Sequence, residues 1–191
     1  MIAAPNDVVP GQVILLNGVS SSGKTSLARQ LLCDLDRPFF HIGVDMIGAM
    51  RSEPQTDRLD QAALQQALYR TRAGFHRAVA GMALAGNDIV MDHVFSEPWR
   101  LQDCLVVMTG IDVVLVGVHC SADELLRREK QRGDRTVGTA AAQLASTHIH
   151  GIYDCEIDTS AQSLTDCSAE IRRCARGPVA ARAFGRLRGE L

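Results

Sequence analysis

The sequence QVILLNGVSSSGKTSLARQL, residues 12–31, decides the expected fold. Residues 12–17 form a short apolar run that ends at a glycine, which is typical of a buried β-strand. From residue 26 to residue 36, leucines recur at helical spacing until Pro38 ends the pattern, and this predicts an α-helix. Between the two, Gly18 to Thr25 matches the pattern G-x-x-x-x-G-K-[ST]. That pattern indicates a phosphate-binding loop when it joins a strand to a helix.

The chemistry of this loop follows from its backbone and a few side chains. Successive N–H groups of a tight glycine turn can surround an anion, and the N-terminus of the following helix adds unsatisfied donors. Lys24 can neutralise charge on the β- and γ-phosphates, and the Thr25 hydroxyl can bind Mg²⁺. A chance glycine turn is the alternative, but it would not need the flanking strand and helix. We therefore expect ATP with Mg²⁺, bound by Gly18, Ser20, Ser21, Ser22, Gly23, Lys24, Thr25 and Ser26.

Further apolar runs alternate with helical stretches along the rest of the chain. The runs lie at residues 39–44, 88–92, 111–119 and 155–158, and the longest helical stretch lies at 59–85. This alternation predicts parallel βαβ units, and thus an α/β fold with a five-stranded parallel sheet and helices on both faces. Gly74 and Gly81 weaken the expectation that the long helix is unbroken. We assign residues 1–175 to a single domain and expect the basic residues 176–191 to form a solvated, frayed tail.

Asp92 follows the apolar residues 89–91, so that a predicted strand ends in a carboxylate. In P-loop proteins such an aspartate holds Mg²⁺ beside the threonine of the loop. Apolar runs that end in aspartate are also common as ordinary strand ends, so this assignment depends on the phosphate loop. On that basis we assign Thr25 and Asp92 to the metal site.

Asp45 lies at the end of the second predicted strand. Ligands of open parallel sheets gather beyond the carboxyl ends of the strands. Asp45 could therefore accept the proton of an acceptor hydroxyl, as an aspartate does in protein kinases. Aspartate is equally favoured as a helix N-cap, and spacing alone does not separate the two interpretations.

Four arginines surround the glycine turn after the fourth predicted strand: Arg127, Arg128, Arg132 and Arg135. Guanidinium groups suit the negative charge of a phosphoryl group, and a loop that carries them can close over ATP. Because Arg132 and Arg135 border the turn, we assign them to a lid and to catalysis. The other two divide between helix faces, and we assign Arg128 to the nucleotide. A solvated helix face, with nearby acids as partners, is the alternative.

Several stretches together resemble the chloramphenicol phosphotransferase family of P-loop kinases. They are LLNGVSSSGKTSLARQL (15–31), HIGVDMIGAM (41–50), GNDIVMDHVF (86–95), DVVLVGVHCSADELLRREKQRGDR (112–135) and THIHGIYDCEIDTS (147–160). Many kinases share the phosphate loop. The combination of GVD, E-x-x-R-G-D-R and H-x-x-x-x-Y-D-x-E-x-D-T is much more specific to this family.

The resemblance implies a P-loop kinase fold with an arginine-bearing lid, and ATP-dependent phosphorylation of a small-molecule hydroxyl. A chloramphenicol-like antibiotic is then the first candidate acceptor. The resemblance also implies that Asp45 is the base for the acceptor proton. It further implies that Arg132 and Arg135 belong to the lid, and that Thr159 and Ser160 lie near the adenine.

Other positions either match the family or depart from it. Three further matches, for which a structural hydrogen-bond network is the expected role, are His148, Tyr153 and Asp154. Where the family has paired aspartates after the third strand, this chain has Asp92 followed by His93. The segment 46–60, which should help to line the acceptor pocket, looks shorter than in the chloramphenicol enzymes. The phosphate chemistry therefore looks conserved, whereas the acceptor site looks changed.

The overall composition narrows the partners. A formal charge of −2 gives no reason to expect nucleic acid. No apolar stretch approaches the roughly 18 residues of a membrane span, and the sequence does not begin like a signal peptide. We therefore expect a cytoplasmic protein with no membrane partner, whose acceptor is a small molecule with a hydroxyl group. Formation of a homo-oligomer stays open.

Two other functions also stay open. One is a kinase of another metabolite, such as a nucleotide or a sugar alcohol. A nucleotide kinase would need basic residues for a second phosphate, and residues 46–60 contain only Arg51 and Arg58. The other is a regulatory nucleotide-binding module without transfer activity, which would keep Lys24 and Thr25 but would not need an acid at position 45.

Overall fold

The computed structural model describes residues 8–132 and 139–189, without the side chains at 132, 139, 141 and 142. The strands are β1 (Val13–Asn17), β2 (Phe39–Gly43), β3 (Asp88–His93), β4 (Val113–His119) and β5 (Cys155–Asp158). The helices are α1 (Lys24–Asp34), α2 (Val44–Ala49), α3 (Glu53–Thr56), α4 (Gln61–Leu84), α5 (Pro98–Val107), α6 (Ala122–Arg132), α7 (Thr139–Thr147), α8 (Leu164–Ala175) and α9 (Ala183–Gly189). A 3-10 turn spans Val179–Ala181.

Within these ranges the strands form a five-stranded parallel sheet in the order β2-β3-β1-β4-β5. The expected α/β architecture is thereby confirmed. β1 is central and pairs with β3 on one side and β4 on the other. Since all strands run the same way, the segments that follow β1, β2 and β3 emerge together beyond the carboxyl ends of the strands. We call this end of the sheet the ligand-binding edge, because ligands bind there in open parallel sheets.

Helices cover both faces of the sheet, and every side chain of β1 is therefore buried. Val13 and Leu15 face the cluster that contains α4, α5 and α9. Ile14 and Leu16 face the cluster that contains α1 and α8. Alternate side chains of a strand point to opposite faces, so a strand that is covered on both sides needs a continuous apolar run. This requirement explains the unbroken apolar sequence at the start of the phosphate loop.

α4 runs without a break from Gln61 to Leu84 although it contains Gly74 and Gly81. Its N-cap is Asp60, whose side chain accepts a backbone hydrogen bond from the first turn. One face of the helix is buried around Phe75. Capping and burial offset the cost of two interior glycines, about 1 kcal/mol each relative to alanine. None of the helices in the described ranges has the length and apolar character needed to cross a membrane.

The expectation of a solvated, frayed tail is wrong for residues 179–189. Phe184 and Leu187 of α9 are buried in the same core as α4 and α5. Arg182 Nε donates to Asp112 Oδ1 at 2.8 Å, and its Nη2 donates to the carbonyl of Ala175 at 2.8 Å. The arginines of this segment suggested a solvated end, although the segment also contains apolar residues. Those residues recur three and four positions apart, which is a helical spacing.

We predict that Phe184→Ala destabilises the protein strongly. Phe184 is 1% exposed, and removal of a buried phenylalanine side chain costs about 3–5 kcal/mol. The measurement is the free energy of unfolding from urea titration. Val179→Ala is the control, because Val179 is 59% exposed and should change that free energy by less than about 0.5 kcal/mol. Equal stability of the Phe184→Ala variant and the wild type would contradict the packing of α9.

Candidate active site

The phosphate loop lies at the centre of the ligand-binding edge, between β1 and α1. Gly18 approaches β4 so closely that an added Cβ would lie 2.4 Å from the carbonyl oxygen of Val118. Gly23 is the N-cap of α1 and has a φ of 91°, a left-handed conformation that favours glycine. The first glycine of the motif is thus required by close approach, and the second by backbone conformation.

Buried polar groups of the loop fit a bound phosphate. The hydroxyl oxygens of Ser21 and Ser22 are buried and have no hydrogen-bond partner in the described part of the chain. The side chain of Lys24 is 7% exposed, and its Nζ donates to the carbonyl of Val19 at 2.7 Å. Each unsatisfied buried polar group costs about 1–3 kcal/mol. Phosphate oxygens that accept from these hydroxyls would remove that cost.

Thr25, at the start of α1, contacts Asp92 near the end of β3. Thr25 Oγ1 donates to Asp92 Oδ2 at 2.8 Å, and Lys24 Nζ lies 3.9 Å from Asp92 Oδ1. The register of β1 with β3 pairs Leu16 with Asp92, so the sheet itself holds this carboxylate beside the loop. Hydroxyl and carboxylate oxygens are ligands that suit Mg²⁺. Among the described residues, no group of three or more His, Cys, Asp or Glu side chains forms a metal site, so the protein would hold the ion through this pair alone.

Asp45 lines the same cleft, but one of its two predicted roles is wrong. β2 ends at Gly43, which is the N-cap of α2, and Asp45 lies in the first turn of that helix. The N-cap interpretation therefore fails, because the chain enters the helix two residues earlier. The exposed side chain of Asp45 shares a cleft of about 1510 Å³ with Lys24, Thr25 and Asp92.

Arg128 and Thr159 brace the loop from the side of β5. Thr159 Oγ1 donates to the carbonyl of Ser22 at 2.7 Å, and Arg128 Nη2 donates to the carbonyl of Thr159 at 2.9 Å. Arg128 Nε donates to Glu124 Oε1 at 2.7 Å, which fixes the guanidinium group. Both residues line the cleft. Arg127 does not, so only one of this arginine pair points inward, as the sequence indicated.

The other assigned residues divide into two groups, and one further residue was not assigned. Ser20 and Ser26 line the cleft. Of the two lid residues, Arg135 lies outside the described residues, and so does the side chain of Arg132, the last residue of α6. Sequence reasoning missed Gln143 of α7, whose Oε1 accepts from the backbone N–H of Ser20 at 2.8 Å. No motif in the sequence marks that glutamine.

Sequence reasoning also missed two arginines of the cleft, Arg72 of α4 and Arg100 of α5. Both are far from the phosphate loop along the chain, and neither belongs to a recognisable motif. One signal could have found them. Arg72 precedes the buried Phe75 by three positions, and Arg100 precedes the buried Cys104 by four, so each lies on the inward face of its helix.

His93, where the family resemblance implied a second aspartate, is fully buried on the face of β3 that packs against α4. Its Nε2 lies 3.0 Å from His76 Nε2, and His76 Nδ1 lies 2.7 Å from Asp103 Oδ2. Burial lowers the pKa of both histidines. For His76, the Asp103 carboxylate partly opposes that shift, and for His93 the charges of His76 and Arg100 add to it. With both rings neutral, His76 donates from Nδ1 to the carboxylate and accepts at Nε2 from His93. The network therefore ties β3 to α4 and α5.

A second network surrounds Asn17 at the end of β1. Asn17 Nδ2 donates to the carbonyl of Thr147 and to Tyr153 Oη, each at 2.8 Å. The Tyr153 hydroxyl lies 2.6 Å from His148 Nδ1. Burial raises the pKa of Tyr153, and burial followed by the charges of two other histidines lowers the pKa of His148 to about 4. The Asp154 carboxylate accepts from backbone N–H groups of β4 and α9, so all three family matches make structural contacts.

The fold and the loop together define a P-loop kinase. Solved structures agree with this class. An APS kinase from Mycobacterium tuberculosis, in complex with AMPPNP and APS, superimposes with a TM-score of 0.61 at 17% identity, over 88% of this chain and 99% of its own. A shikimate kinase from Acinetobacter baumannii gives 0.60 at 13% identity, over 89% and 96%. At such identities the likeness concerns the fold alone.

The sequence comparisons identify the family. The family described as "Chloramphenicol phosphotransferase-like protein" matches residues 11–176. Proteins from two strains of Mycobacterium tuberculosis, each named "Putative O-phosphotransferase", are 31% identical over 207 aligned positions, which cover 98% of this chain and 92% of the relative. The chain belongs to the chloramphenicol phosphotransferase-like family, as its motifs predicted, and is therefore a phosphotransferase.

We predict that mild acid destabilises the fold through its buried and half-buried neutral histidines. His148 has a folded pKa of about 4 against an ordinary 6.5, so protons bind the unfolded chain first. The free energy of unfolding should be highest above pH 6.5 and should fall as the pH drops from 6.5 towards 4. Urea titrations at pH 7 and pH 5 measure the difference. His148→Asn keeps an acceptor for Tyr153 and removes one titrating group. Its free energy of unfolding should therefore fall less between pH 7 and pH 5 than that of the wild type. An equal loss would contradict this assignment.

Proposed function

We propose that this chain transfers the γ-phosphoryl group of ATP to a hydroxyl group of a small molecule. The observation that carries the proposal is the presence of three features on one cleft: the phosphate loop, the Thr25–Asp92 pair and the exposed carboxylate of Asp45. A module that only binds nucleotides needs the loop and the pair. It has no use for a further carboxylate on the same cleft.

In the proposed reaction, the acceptor oxygen forms a bond to the γ-phosphorus. The bond from that phosphorus to the bridging oxygen breaks, and its electron pair leaves with ADP. The hydroxyl proton passes to the carboxylate of Asp45. Because the transition state of phosphoryl transfer is loose, the main contribution of Asp45 is to orient the hydroxyl oxygen towards the phosphorus. Lys24 contributes positive charge beside the β- and γ-phosphates.

The fit of Mg²⁺ depends on Thr25 and Asp92. When bound, Mg²⁺ neutralises charge that develops on the phosphate oxygens. The Thr25 hydroxyl donates a hydrogen bond to Asp92 Oδ2 at 2.8 Å. A lone pair of the Thr25 oxygen therefore stays available to the ion. The Asp92 carboxylate would hold the ion beside the loop, either by direct coordination or through a bound water.

The nucleotide extends from the loop towards β5 in this proposal. Arg128 and Thr159 line that side of the cleft, and β5 lies at the opposite edge of the sheet from β2 and Asp45. The family resemblance alone supports the lid role of Arg132 and Arg135. Since the reaction consumes ATP, we propose a cytoplasmic location.

The family supports chloramphenicol-like antibiotics as the first acceptors to test. The change at His93 and the short segment 46–60 favour tests of other compounds as well, namely sugar alcohols and nucleotides. The family opposes the other alternative that the sequence left open, a nucleotide-binding module without transfer activity. The panel of acceptors described below separates these functions.

We predict that Asp45→Asn lowers kcat by at least about 100-fold, the usual effect of a general base. The affinity for ATP should stay at the wild-type value, because the substitution is away from the phosphate loop. ADP formation measures the rate, and mass spectrometry of reactions with chloramphenicol, sugar alcohols and nucleosides identifies the product. Asp57→Asn is the matched control, since Asp57 is exposed and does not line the cleft.

Two results would oppose this assignment. Transfer by Asp45→Asn at the wild-type rate would show that another group accepts the proton. Binding of ATP by the wild type without phosphorylation of any compound would favour the nucleotide-binding module.

We also predict that Asp92→Asn weakens the response to magnesium. Loss of a group that orients a metal and its waters typically costs about 10- to 100-fold in metal affinity. The measurements are the Mg²⁺ concentration that gives half-maximal ADP formation and the one that gives half-maximal binding of AMPPNP. Asp57→Asn again serves as the control. A wild-type response of the Asp92→Asn variant in both measurements would remove Asp92 from the metal site.

A further inference from the structure

The cleft has two ends, and the order of the strands separates them. The phosphate loop follows the central strand β1, and Thr159 marks the side of β5. Asp45 follows the edge strand β2 on the other side. We call the side of the cleft near β2 the acceptor end. It is lined by Val44, Asp45, Met46, Ala49, Arg51, Leu68, Arg72, Val94 and Arg100.

Three arginines from different parts of the chain line the acceptor end. Arg51 follows α2, Arg72 belongs to α4 and Arg100 belongs to α5. Arg58, the other basic residue of the segment after Asp45, does not line the cleft. The sequence therefore understated the positive charge near the acceptor, because it showed only the arginines of one segment.

Much of this guanidinium surface has no partner among the described residues. Arg100 is 7% exposed, donates to the carbonyl of Val94 at 3.0 Å and pairs with Glu97, but its Nε is buried without a hydrogen bond. The same is true of Nε and Nη1 of Arg51. Arg72 makes no hydrogen bond or ion pair within the described ranges. The buried donors of Arg51 and Arg100 call for a hydrogen-bond acceptor.

The charges of the acceptor end do not cancel. Burial, and then the positive charge of Arg100, lowers the pKa of Arg72, while Glu97, Arg51 and Asp45 act on it more weakly. Arginine stays protonated in proteins, so repulsion of this kind cannot be relieved by loss of a proton. Among the described residues, two carboxylates, those of Asp45 and Glu97, lie near these three guanidinium groups. A bound anion would restore the balance.

We propose that the acceptor is an organic anion whose carboxylate, phosphate or sulfate group binds Arg51, Arg72 and Arg100 while its hydroxyl group faces Asp45. The inference rests on the proposed function and names the class of acceptor for the same cleft. The planar guanidinium fork matches the geometry of such oxyanions. Three apolar side chains line the same end, those of Met46, Leu68 and Val94. They suit the carbon skeleton of an organic anion rather than a bare inorganic ion.

A different role for these arginines would be to bind the phosphoryl group during transfer. The two roles differ in the substrate that each affects. Arginines that bind the acceptor anion change the KM of the acceptor and leave the KM of ATP unchanged. Arginines that bind the transferred group change kcat for all acceptors alike, whether these are charged or neutral.

The first experiment compares acceptors that differ in one anionic group. Gluconate is paired with glucitol, shikimate with its methyl ester, and chloramphenicol, which carries no anionic group, is included. We expect the wild type to use an anionic compound with a kcat/KM at least about tenfold above that of its neutral partner, the usual effect of one charge-assisted hydrogen bond. Arg72→Gln should remove this preference by raising the KM of the anion. Equal use of both members of each pair would overturn the proposal.

The second experiment measures binding and needs no transfer. Thermal unfolding is followed with saturating Mg²⁺ and AMPPNP while gluconate, shikimate, sodium sulfate or glucitol is added. We expect the anions to raise the unfolding temperature of the wild type more than glucitol does. Arg72→Gln and Arg51→Gln should each abolish the difference, and two variants on separate segments guard against a folding defect in one. Arg70→Gln is the matched control, because Arg70 lies exposed on α4 outside the cleft.

The two experiments distinguish this inference from the proposed function. An anion-specific shift that depends on Arg72, without phosphorylation of any compound, supports the anion site and opposes the transferase. Phosphorylation of neutral compounds, without any anion-specific shift, supports the transferase and overturns the anion site. A shift that Arg70→Gln abolishes as completely as Arg72→Gln also overturns it, since general surface charge would then be the cause.

Discussion

The backbone of the phosphate loop is held in place by contacts with β4 and with Thr159, and the rest of the site depends on that constraint. On one side Gly18 lies so close to the carbonyl of Val118 that a Cβ would not fit, and on the other the Thr159 hydroxyl donates to the carbonyl of Ser22. Contacts to β4 and to the end of β5 thus fix the loop on the rigid centre of the sheet. The direction of its N–H groups and of Lys24 is set before any ligand binds, which reduces the ordering cost of binding.

The features that the sequence predicted are those that arise from local pattern and from sheet register. The loop could be identified because its glycines, lysine and threonine fall within eight consecutive residues. The contact between Thr25 and Asp92 could be expected because parallel strands end at one edge, and the register of β1 with β3 brings the two residues together. The parallel sheet with helices on both faces follows from the alternation of strands and helices, whereas the order of the strands comes from the structure.

What could not be predicted depends on how helices turn and pack. The sequence did not show that Gly43, rather than Asp45, caps α2, since either residue type can occupy that position. The core contribution of Phe184 was hidden because the arginines around it suggested a solvated end. Arg72 and Arg100 reach the cleft because of the way α4 packs against β3 and α5 packs against α4. A rotation of either helix by one residue, about 100°, would move the arginine out of the cleft.

His93 connects the departure from the family pattern to those arginines. His76 lies four residues after Arg72 on α4, and Asp103 lies three residues after Arg100 on α5, so each pair shares a helix face. The contacts from His93 to His76 and from His76 to Asp103 therefore fix the rotation of α4 against β3 and of α5 against α4. An aspartate at position 93 would carry a buried charge and would not donate to a neutral His76. His93, Arg72 and Arg100 thus belong to one structural unit, whereas the nucleotide half of the cleft is built by the loop, the neighbouring strands, α6 and α7.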